Sequence, residues 1–147
     1  MIIPKKSLGQ NFLIDKNIIK KIINQTNIEN QNIVEIGPGL GNLTDFIINE
    51  KPKSLLLIEK DFKLFNYLKK KYKDNKTIKI INTDALKYNF SELSNIKIIS
   101  NLPYNISTKI IIKLIFYNQN IKNIICMIQK ELAEKFDYNK SKMNKYK

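Results

Sequence analysis

The chain of 147 residues (17.3 kDa) carries a formal net charge of +13 at pH 7, and its length is that of one domain with a sizeable core. It contains no histidine, which excludes Ser-His-Asp triads and most zinc sites, and its single cysteine, Cys126, can form no internal disulfide, so we expect a reducing compartment, the cytoplasm. Lysine alone supplies the 26 positive charges, and this excess favours a polyanionic partner, although a lysine-rich soluble surface would produce the same composition.

The N-terminal part of the chain reads as an extended basic segment, residues 5–13, that ends on the apolar pair Phe12 and Leu13. Residues 1–6 lack the apolar region of a secretory signal, and Lys or Asn interrupts every isoleucine-rich stretch before it is long enough to cross a bilayer. We therefore expect no membrane association. Asp15 is a candidate cap for a helix whose apolar stripe is Ile18, Ile19, Ile22 and Ile23.

The first predicted strand, residues 33–36, leads directly into a glycine-rich turn. Its glycines stand at alternate positions, where the backbone can turn sharply and approach a ligand closely: Gly37, Gly39 and Gly41. A dinucleotide fingerprint would need a glycine where this chain has Asn42. Alternate glycines preceded by the acid Glu35 are instead typical of S-adenosylmethionine (SAM) methyltransferases, although a glycine turn without a ligand has the same pattern.

Acidic side chains follow the second and third predicted strands, residues 55–58 and 78–81. Glu59 ends the second strand, where a carboxylate can accept both hydroxyls of a ribose; a solvated acid beside Lys60 is the alternative. Asp84 follows the third strand, and its carboxylate suits the exocyclic amine of adenine, while the small Ala85 leaves room for a flat ring. A turn or cap aspartate is equally compatible with Asp84 alone.

The fourth predicted strand, residues 96–100, is followed by Asn101, Leu102, Pro103 and Tyr104. The exocyclic amine of adenine is a poor nucleophile because its lone pair is delocalised into the ring. The Asn101 side chain and the Leu102 backbone offer two carbonyl acceptors that could make the nitrogen pyramidal and free the lone pair. Pro103 fixes the turn, and Tyr104 offers a ring for a base drawn out of its stack. A methyl sulfonium supplies the driving force, so we expect no metal. The alternative is a proline turn with a core tyrosine.

The order of elements indicates the architecture. Ser107 is a candidate cap for the next helix, and residues 123–128 predict a fifth strand. Strands alternating with helices predict an α/β fold, a Rossmann-like parallel sheet flanked by helices, with the polar motifs at the ligand-binding ends of the strands. We expect one methyltransferase domain over residues 1–137, and we interpret residues 138–147, rich in lysine and asparagine, as a tail that is disordered or cut off.

Five motifs along almost the whole chain resemble the ribosomal RNA small-subunit adenine dimethyltransferase family: residues 6–13 (KSLGQNFL), 35–41 (EIGPGLG), 84–86 (DAL), 101–107 (NLPYNIS) and 129–131 (QKE). The resemblance implies a SAM-dependent enzyme that dimethylates N6 of two adjacent adenosines near the 3′ end of small-subunit rRNA. The implied partner is the assembling small ribosomal subunit, and we expect a monomer. Family members continue with further strands and a small helical domain, which we expect this chain to lack.

The resemblance also implies roles for individual residues. Residues 1–14 are expected to cover the cofactor through Asn11 and Leu13. Glu59 would then bind the ribose and Asp84 the adenine, and Asn101 would lie between the cofactor and the target amine. The full set expected at the cofactor is Asn11, Leu13, Glu35, Gly37, Gly39, Gly41, Glu59, Asp84, Ala85 and Asn101, and the expected catalytic segment is Asn101, Leu102, Pro103 and Tyr104.

Three alternatives stay open. The sister family that methylates large-subunit rRNA shares much of the pattern, although Leu102 and residues 7–9 favour the small-subunit enzymes. A non-catalytic nucleic-acid-binding relative, such as the mitochondrial transcription factors of this fold, is disfavoured by the intact segment from Asn101 to Tyr104. A nicotinamide-dependent oxidoreductase is disfavoured by Asn42.

Overall fold

A computed structural model describes residues 12–136 of the chain, and within them five parallel strands are interspersed with five helices, with no helix between the third and fourth strands. In chain order the elements are α1 (Lys16–Ile23), β1 (Asn32–Ile36), α2 (Asn42–Asn49), β2 (Ser54–Glu59), α3 (Phe62–Lys71), β3 (Ile78–Asn82), β4 (Ile96–Asn101), α4 (Ser107–Phe116), β5 (Ile121–Met127) and α5 (Lys130–Phe136). The predicted Rossmann-like α/β fold is therefore confirmed. None of the helices in the described residues is long and apolar enough to cross a membrane.

The strand order β3-β2-β1-β4-β5 places β1 at the centre of the sheet. The chain first builds outward from β1 through β2 to β3 and then returns to the other side of β1 with β4, which pairs with β1 in parallel through residues 96–98. The order of strands thus reverses between β1 and β4. In open α/β sheets the crevice beyond the carboxyl ends of such strands is where ligands bind.

Alternating side chains of the central strands fill two hydrophobic cores, one on each face of the sheet. One core contains Val34 and Ile36 of β1, and α4 covers it with apolar side chains that include Ile110 and Leu114. The other core contains Ile33, and helices α1 and α2 cover that face. The strands buried on both faces form a rigid base, so the loops at their carboxyl ends are held at defined positions.

Local predictions were correct where short-range geometry decides them. The Asp15 carboxylate caps α1 by accepting the backbone N–H groups of Asn17 and Ile18. Ile18, however, is 38% exposed, because α1 packs on the sheet through only three of the four predicted isoleucines: Ile19, Ile22 and Ile23.

The starts of α4 and β5 differ from the prediction, in addition to single-residue differences at other strand ends. Ser107 does not cap α4: it is the first helical residue, Ile106 occupies the cap position, and the Ser107 hydroxyl donates a hydrogen bond to the Tyr104 carbonyl instead. Strand β5 begins at Ile121, two residues earlier than predicted, since Ile121 pairs with Ile96 before a register shift. Both features depend on neighbours in the fold. The predicted tail, residues 138–147, and the predicted domain boundary at 137 lie outside the described residues.

Candidate active site

A cleft opens at the carboxyl ends of β1, β2, β3 and β4, with an empty volume of about 820 Å³ that includes its open mouth. Eight of the residues predicted for the site line it: Gly37, Gly39, Glu59, Asp84, Ala85, Asn101, Leu102 and Pro103. A smaller adjoining cleft of about 280 Å³ shares Gly37, Gly39 and Asn101 with the first and is also lined by Leu13 and Glu35. Asn11 lies outside the described residues, and Gly41 lines neither cleft.

The glycine turn, residues 37–41, joins β1 to α2 and forms one wall of the cleft. Gly37 and Gly39 have positive φ angles of 67° and 60°, a backbone conformation that favours glycine. The Gly37 N–H donates to the carbonyl of Ile58 at 2.9 Å. A Cβ on Gly39 would lie 3.0 Å from the ring of Phe12, which covers this part of the turn. The absence of a side chain on Gly39 therefore lets the Phe12 ring approach the turn.

Glu59 is the last residue of β2 and is only 5% exposed. Its Oε1 accepts the N–H of Asp61 at 2.8 Å, and its Oε2 accepts the N–H of Gly39 at 3.3 Å. Burial raises the pKa of Glu59 above its ordinary value, although the hydrogen bonds from Asp61 and Gly39 oppose the rise. An ionised carboxylate has about four acceptor positions, so Glu59 can brace the glycine turn and still accept hydroxyl groups from a ligand.

Glu35 lies deeper, in the wall of the smaller cleft, and is 2% exposed. Its Oε2 accepts a hydrogen bond of 2.6 Å from the Thr44 hydroxyl in the first turn of α2. Burial raises the pKa of Glu35 to about 8, although the Thr44 hydrogen bond acts in the opposite direction. A buried carboxyl with this pKa is suited to meet a cation, because an ammonium group beside it would favour the ionised form.

Asp84 lies beyond β3 in the larger cleft and already has two hydrogen-bond donors. Its Oδ1 accepts the N–H of Leu86 at 2.9 Å, and its Oδ2 forms an ion pair of 2.9 Å with Lys60. Burial alone would raise the pKa of Asp84, but the hydrogen bonds from Lys60 and Leu86 outweigh it, and the pKa lies below its ordinary value. Asp84 is therefore an ionised acceptor, and the small, buried Ala85 follows it.

The segment Asn101 to Tyr104 crosses the end of the sheet beside the glycine turn. Asn101 ends β4, and the Leu102 N–H continues the sheet pattern by donating to the Met127 carbonyl at 3.2 Å. The Pro103 ring lies 3.6 Å from the position that a Cβ on Gly37 would occupy. Leu102 is buried, whereas Tyr104 is 36% exposed and does not line the cleft in this conformation. The tertiary fold thus places the predicted catalytic segment against the predicted cofactor turn.

A family model described as ribosomal RNA adenine dimethylase matches residues 3–146. The chain belongs to this family. The ribosomal RNA small subunit methyltransferase A of Pelagibacter ubique (strain HTCC1062) is 48% identical over 136 residues, which cover 89% of this chain and 51% of that protein. The chain spans about half the length of the curated relatives it matches.

Two solved structures of related enzymes resemble the fold. A dimethyladenosine transferase from Plasmodium falciparum superposes with a TM-score of 0.72 at 33% identity, covering 84% of this chain and 45% of that one. The 23S rRNA methyltransferase ErmE superposes with a TM-score of 0.75 at 26% identity, covering 87% of this chain and 52% of that one. Both similarities agree with membership of the dimethylase family.

Some residues of this candidate site were not predicted from the sequence. Phe12 lies over Gly39, Lys60 pairs with Asp84, and Asn105 also lines the larger cleft. Lys60 could have been noticed, because it directly follows the acid at a strand end. The position of Phe12 has no local signal, since the ring meets a turn 27 residues away along the chain. Within residues 12–136 there is no group of three or more Cys, Asp or Glu residues that could hold a metal ion.

Proposed function

We propose that this chain is the SAM-binding and catalytic part of an rRNA dimethyltransferase, which transfers methyl groups to N6 of two adjacent adenosines near the 3′ end of small-subunit rRNA. The observation that carries the proposal is the position of the segment Asn101 to Pro103, which lines the same cleft as Gly37 and Glu59. A reactive segment and a nucleoside-binding wall that face one cleft are what a direct methyl transfer requires. The identity of 48% to a small subunit methyltransferase A supports the choice of substrate.

SAM is the cofactor of this proposal, and the residues present fit it. Gly37 and Gly39 leave space for close approach along the wall, and the buried Glu59 carboxylate at the end of β2 suits the two ribose hydroxyls. Asp84 is an ionised acceptor for the adenine amine. Glu35, in the smaller cleft, suits the ammonium group at the amino-acid end. When bound, SAM supplies an electrophilic methyl group on a sulfonium.

The chain's own contribution to the reaction is to bind and orient the target amine. The Asn101 side-chain oxygen and the Leu102 carbonyl accept hydrogen bonds from the two N–H groups of the adenosine amine. These hydrogen bonds favour a pyramidal nitrogen with an available lone pair. Pro103 holds these two acceptors in one orientation, because its ring packs against the Gly37 turn. Tyr104, at the exposed rim, stacks on the base once it has left the RNA helix.

The proposed partner is small-subunit rRNA within an assembling subunit, the proposed place is the cytoplasm, and the proposed oligomeric state is a monomer. The net charge of +13 supports an RNA partner because lysine side chains neutralise backbone phosphates. A second candidate is methylation of large-subunit rRNA, which the similarity in fold to ErmE favours. Methyl transfer to each RNA distinguishes the two substrates.

Methyl transfer from labelled SAM tests the function on two RNAs: small subunits that lack the dimethylation, and protein-free 23S rRNA. The assay is run on the chain alone and on the chain fused to the C-terminal part of the Pelagibacter relative. We expect dimethyladenosine in the small-subunit RNA, at a higher yield with the fusion. Product in the 23S rRNA alone would select the second candidate, and no product from either protein with either RNA would refute the proposal.

Substitution of Asn101 tests the mechanism in the active form. We expect Asn101→Ala to lower turnover by roughly a hundredfold or more, as does the loss of one preorganised hydrogen bond elsewhere in enzymes, with little change in SAM affinity. Asn66→Ala, on the exposed face of α3, is the matched control. Full turnover by Asn101→Ala would show that the catalytic assignment is wrong.

A further inference from the structure

The third glycine of the turn has a neighbour that its predicted role does not require. Gly41 was expected at the cofactor, but it lines neither cleft, and the Tyr72 hydroxyl occupies the position that a Cβ on Gly41 would need. Its φ of 81° also disfavours other residues. The structure therefore explains this glycine by the approach of Tyr72 from the end of α3.

Three side chains meet at this point, and we call Asp45, Lys71 and Tyr72 the turn clamp. The Tyr72 hydroxyl donates to Asp45 Oδ1 at 2.6 Å and lies 3.1 Å from the carbonyl oxygen of Gly41. Lys71 Nζ donates to Asp45 Oδ2 at 2.7 Å and to the carbonyl of Leu40 at 3.1 Å. Both donors thus contact the carboxylate of α2 and also the backbone of the glycine turn.

The opposite side of the same turn is held by β2 and its end. The Gly37 N–H donates to Ile58, and the Gly39 N–H donates to Glu59. The turn therefore has hydrogen bonds on both sides, from β2 on one and from the turn clamp on the other. Gly37 and Gly39, which line the larger cleft, are the residues held by β2 and its end, and the clamp contacts follow directly at Leu40 and Gly41.

We propose that Asp45, Lys71 and Tyr72 are positioning residues, which hold the glycine turn in the conformation that binds the cofactor. This inference rests on the proposed function, because it assigns the clamp to the SAM site. A turn without the clamp would have to be ordered when the cofactor binds. Ordering a single backbone residue corresponds to roughly a 5- to 30-fold change in an equilibrium constant.

A purely structural role would lower global stability, whereas a positioning role should leave it almost unchanged. The Asp45 and Lys71 side chains are 45% and 26% exposed, and ion pairs of this kind contribute little to global stability. Loss of one clamp contact should therefore leave the unfolding midpoint in urea almost unchanged. The effect should be concentrated in the turn, where either the Leu40 carbonyl loses the Lys71 ammonium or the Gly41 carbonyl loses its contact with the Tyr72 hydroxyl.

The test compares two conservative variants, Tyr72→Phe and Lys71→Met, with matched controls on the same helix, Tyr67→Phe and Lys70→Met. Calorimetry gives the dissociation constant of S-adenosylhomocysteine, and urea unfolding gives global stability. Amide hydrogen exchange at Gly39, measured by NMR without ligand, reports the order of the turn. We expect each clamp variant to weaken binding roughly 5- to 30-fold and to speed exchange at Gly39, with the controls unchanged.

Each outcome is decisive. Clamp variants that bind like their controls would refute the inference, even if they were less stable. Weaker binding in proportion to lost global stability, with unchanged exchange at Gly39, would assign the cluster to the fold alone and would also refute it. A wild-type chain that does not bind S-adenosylhomocysteine would refute the proposed function, and the exchange comparison would then decide separately whether the clamp holds the turn.

Discussion

Glu35→Gln should stabilise the protein at neutral and alkaline pH, because it removes a buried carboxyl that resists ionisation. Burial raises the pKa of Glu35 from 4.5 to about 8. Below pH 4.5 the carboxyl is protonated in both the folded and the unfolded state. Between pH 4.5 and 8 the unfolded chain ionises while the folded protein keeps its proton, so the contribution of Glu35 to stability falls as the pH rises.

The size of this stability change follows from the difference between the ordinary pKa of Glu35 and its pKa in the folded protein. A displacement of 3.5 units, from 4.5 to about 8, corresponds to an upper limit of roughly 5 kcal/mol at about 1.4 kcal/mol per unit. Gln can still accept the Thr44 hydrogen bond. We expect the free energy of unfolding of Glu35→Gln, relative to that of the wild type, to increase by about 2–4 kcal/mol from pH 5 to pH 8.5, allowing for local relaxation.

Urea unfolding followed by circular dichroism at pH 5, 7 and 8.5 measures this difference. Glu29→Gln is the control, because it makes the same substitution at an exposed position. The Glu35→Gln variant should also bind S-adenosylhomocysteine more weakly, because Gln cannot ionise beside an ammonium group as the Glu35 carboxyl can. A stability difference for Glu35→Gln that does not grow with pH would refute the reasoning.

Three further predictions concern the cofactor and the RNA. Glu59→Ala should weaken S-adenosylhomocysteine binding by about 1.5–3 kcal/mol, the range for hydrogen bonds to a charged group, and unchanged affinity by calorimetry would remove Glu59 from the site. Lys60→Met should let the pKa of Asp84 rise, so the loss of cofactor affinity on acidification should begin at a higher pH than in the wild type; superimposable pH profiles would contradict this. RNA affinity, measured by filter binding, should fall steeply between 50 and 200 mM salt, by about 10³-fold or more if six or more phosphates are contacted, whereas a flat dependence would mean that the basic excess does not bind RNA.

The sequence by itself determined the class of fold and eight of the residues that line the larger cleft. Hydrophobic periodicity is local, so the strands that end at Ile36, Glu59 and Asn101 could be read directly from the chain. Because parallel strands present their carboxyl ends at one edge, the polar residues after them were expected to meet. The structure places Gly37, Glu59, Asp84 and Asn101 around one cleft.

The tertiary structure alone decided which distant side chains complete that cleft and the glycine turn beside it. Three contacts join residues up to 31 positions apart: Phe12 over Gly39, Lys60 beside Asp84, and Tyr72 against Gly41. No periodicity in the sequence encodes such pairings. The same holds for Ser107, whose hydroxyl reaches the Tyr104 carbonyl instead of capping the helix. The physical reason is that close packing assigns each position to whichever side chain the folded chain brings there, so Gly41 follows the glycine pattern of the turn but is required by Tyr72.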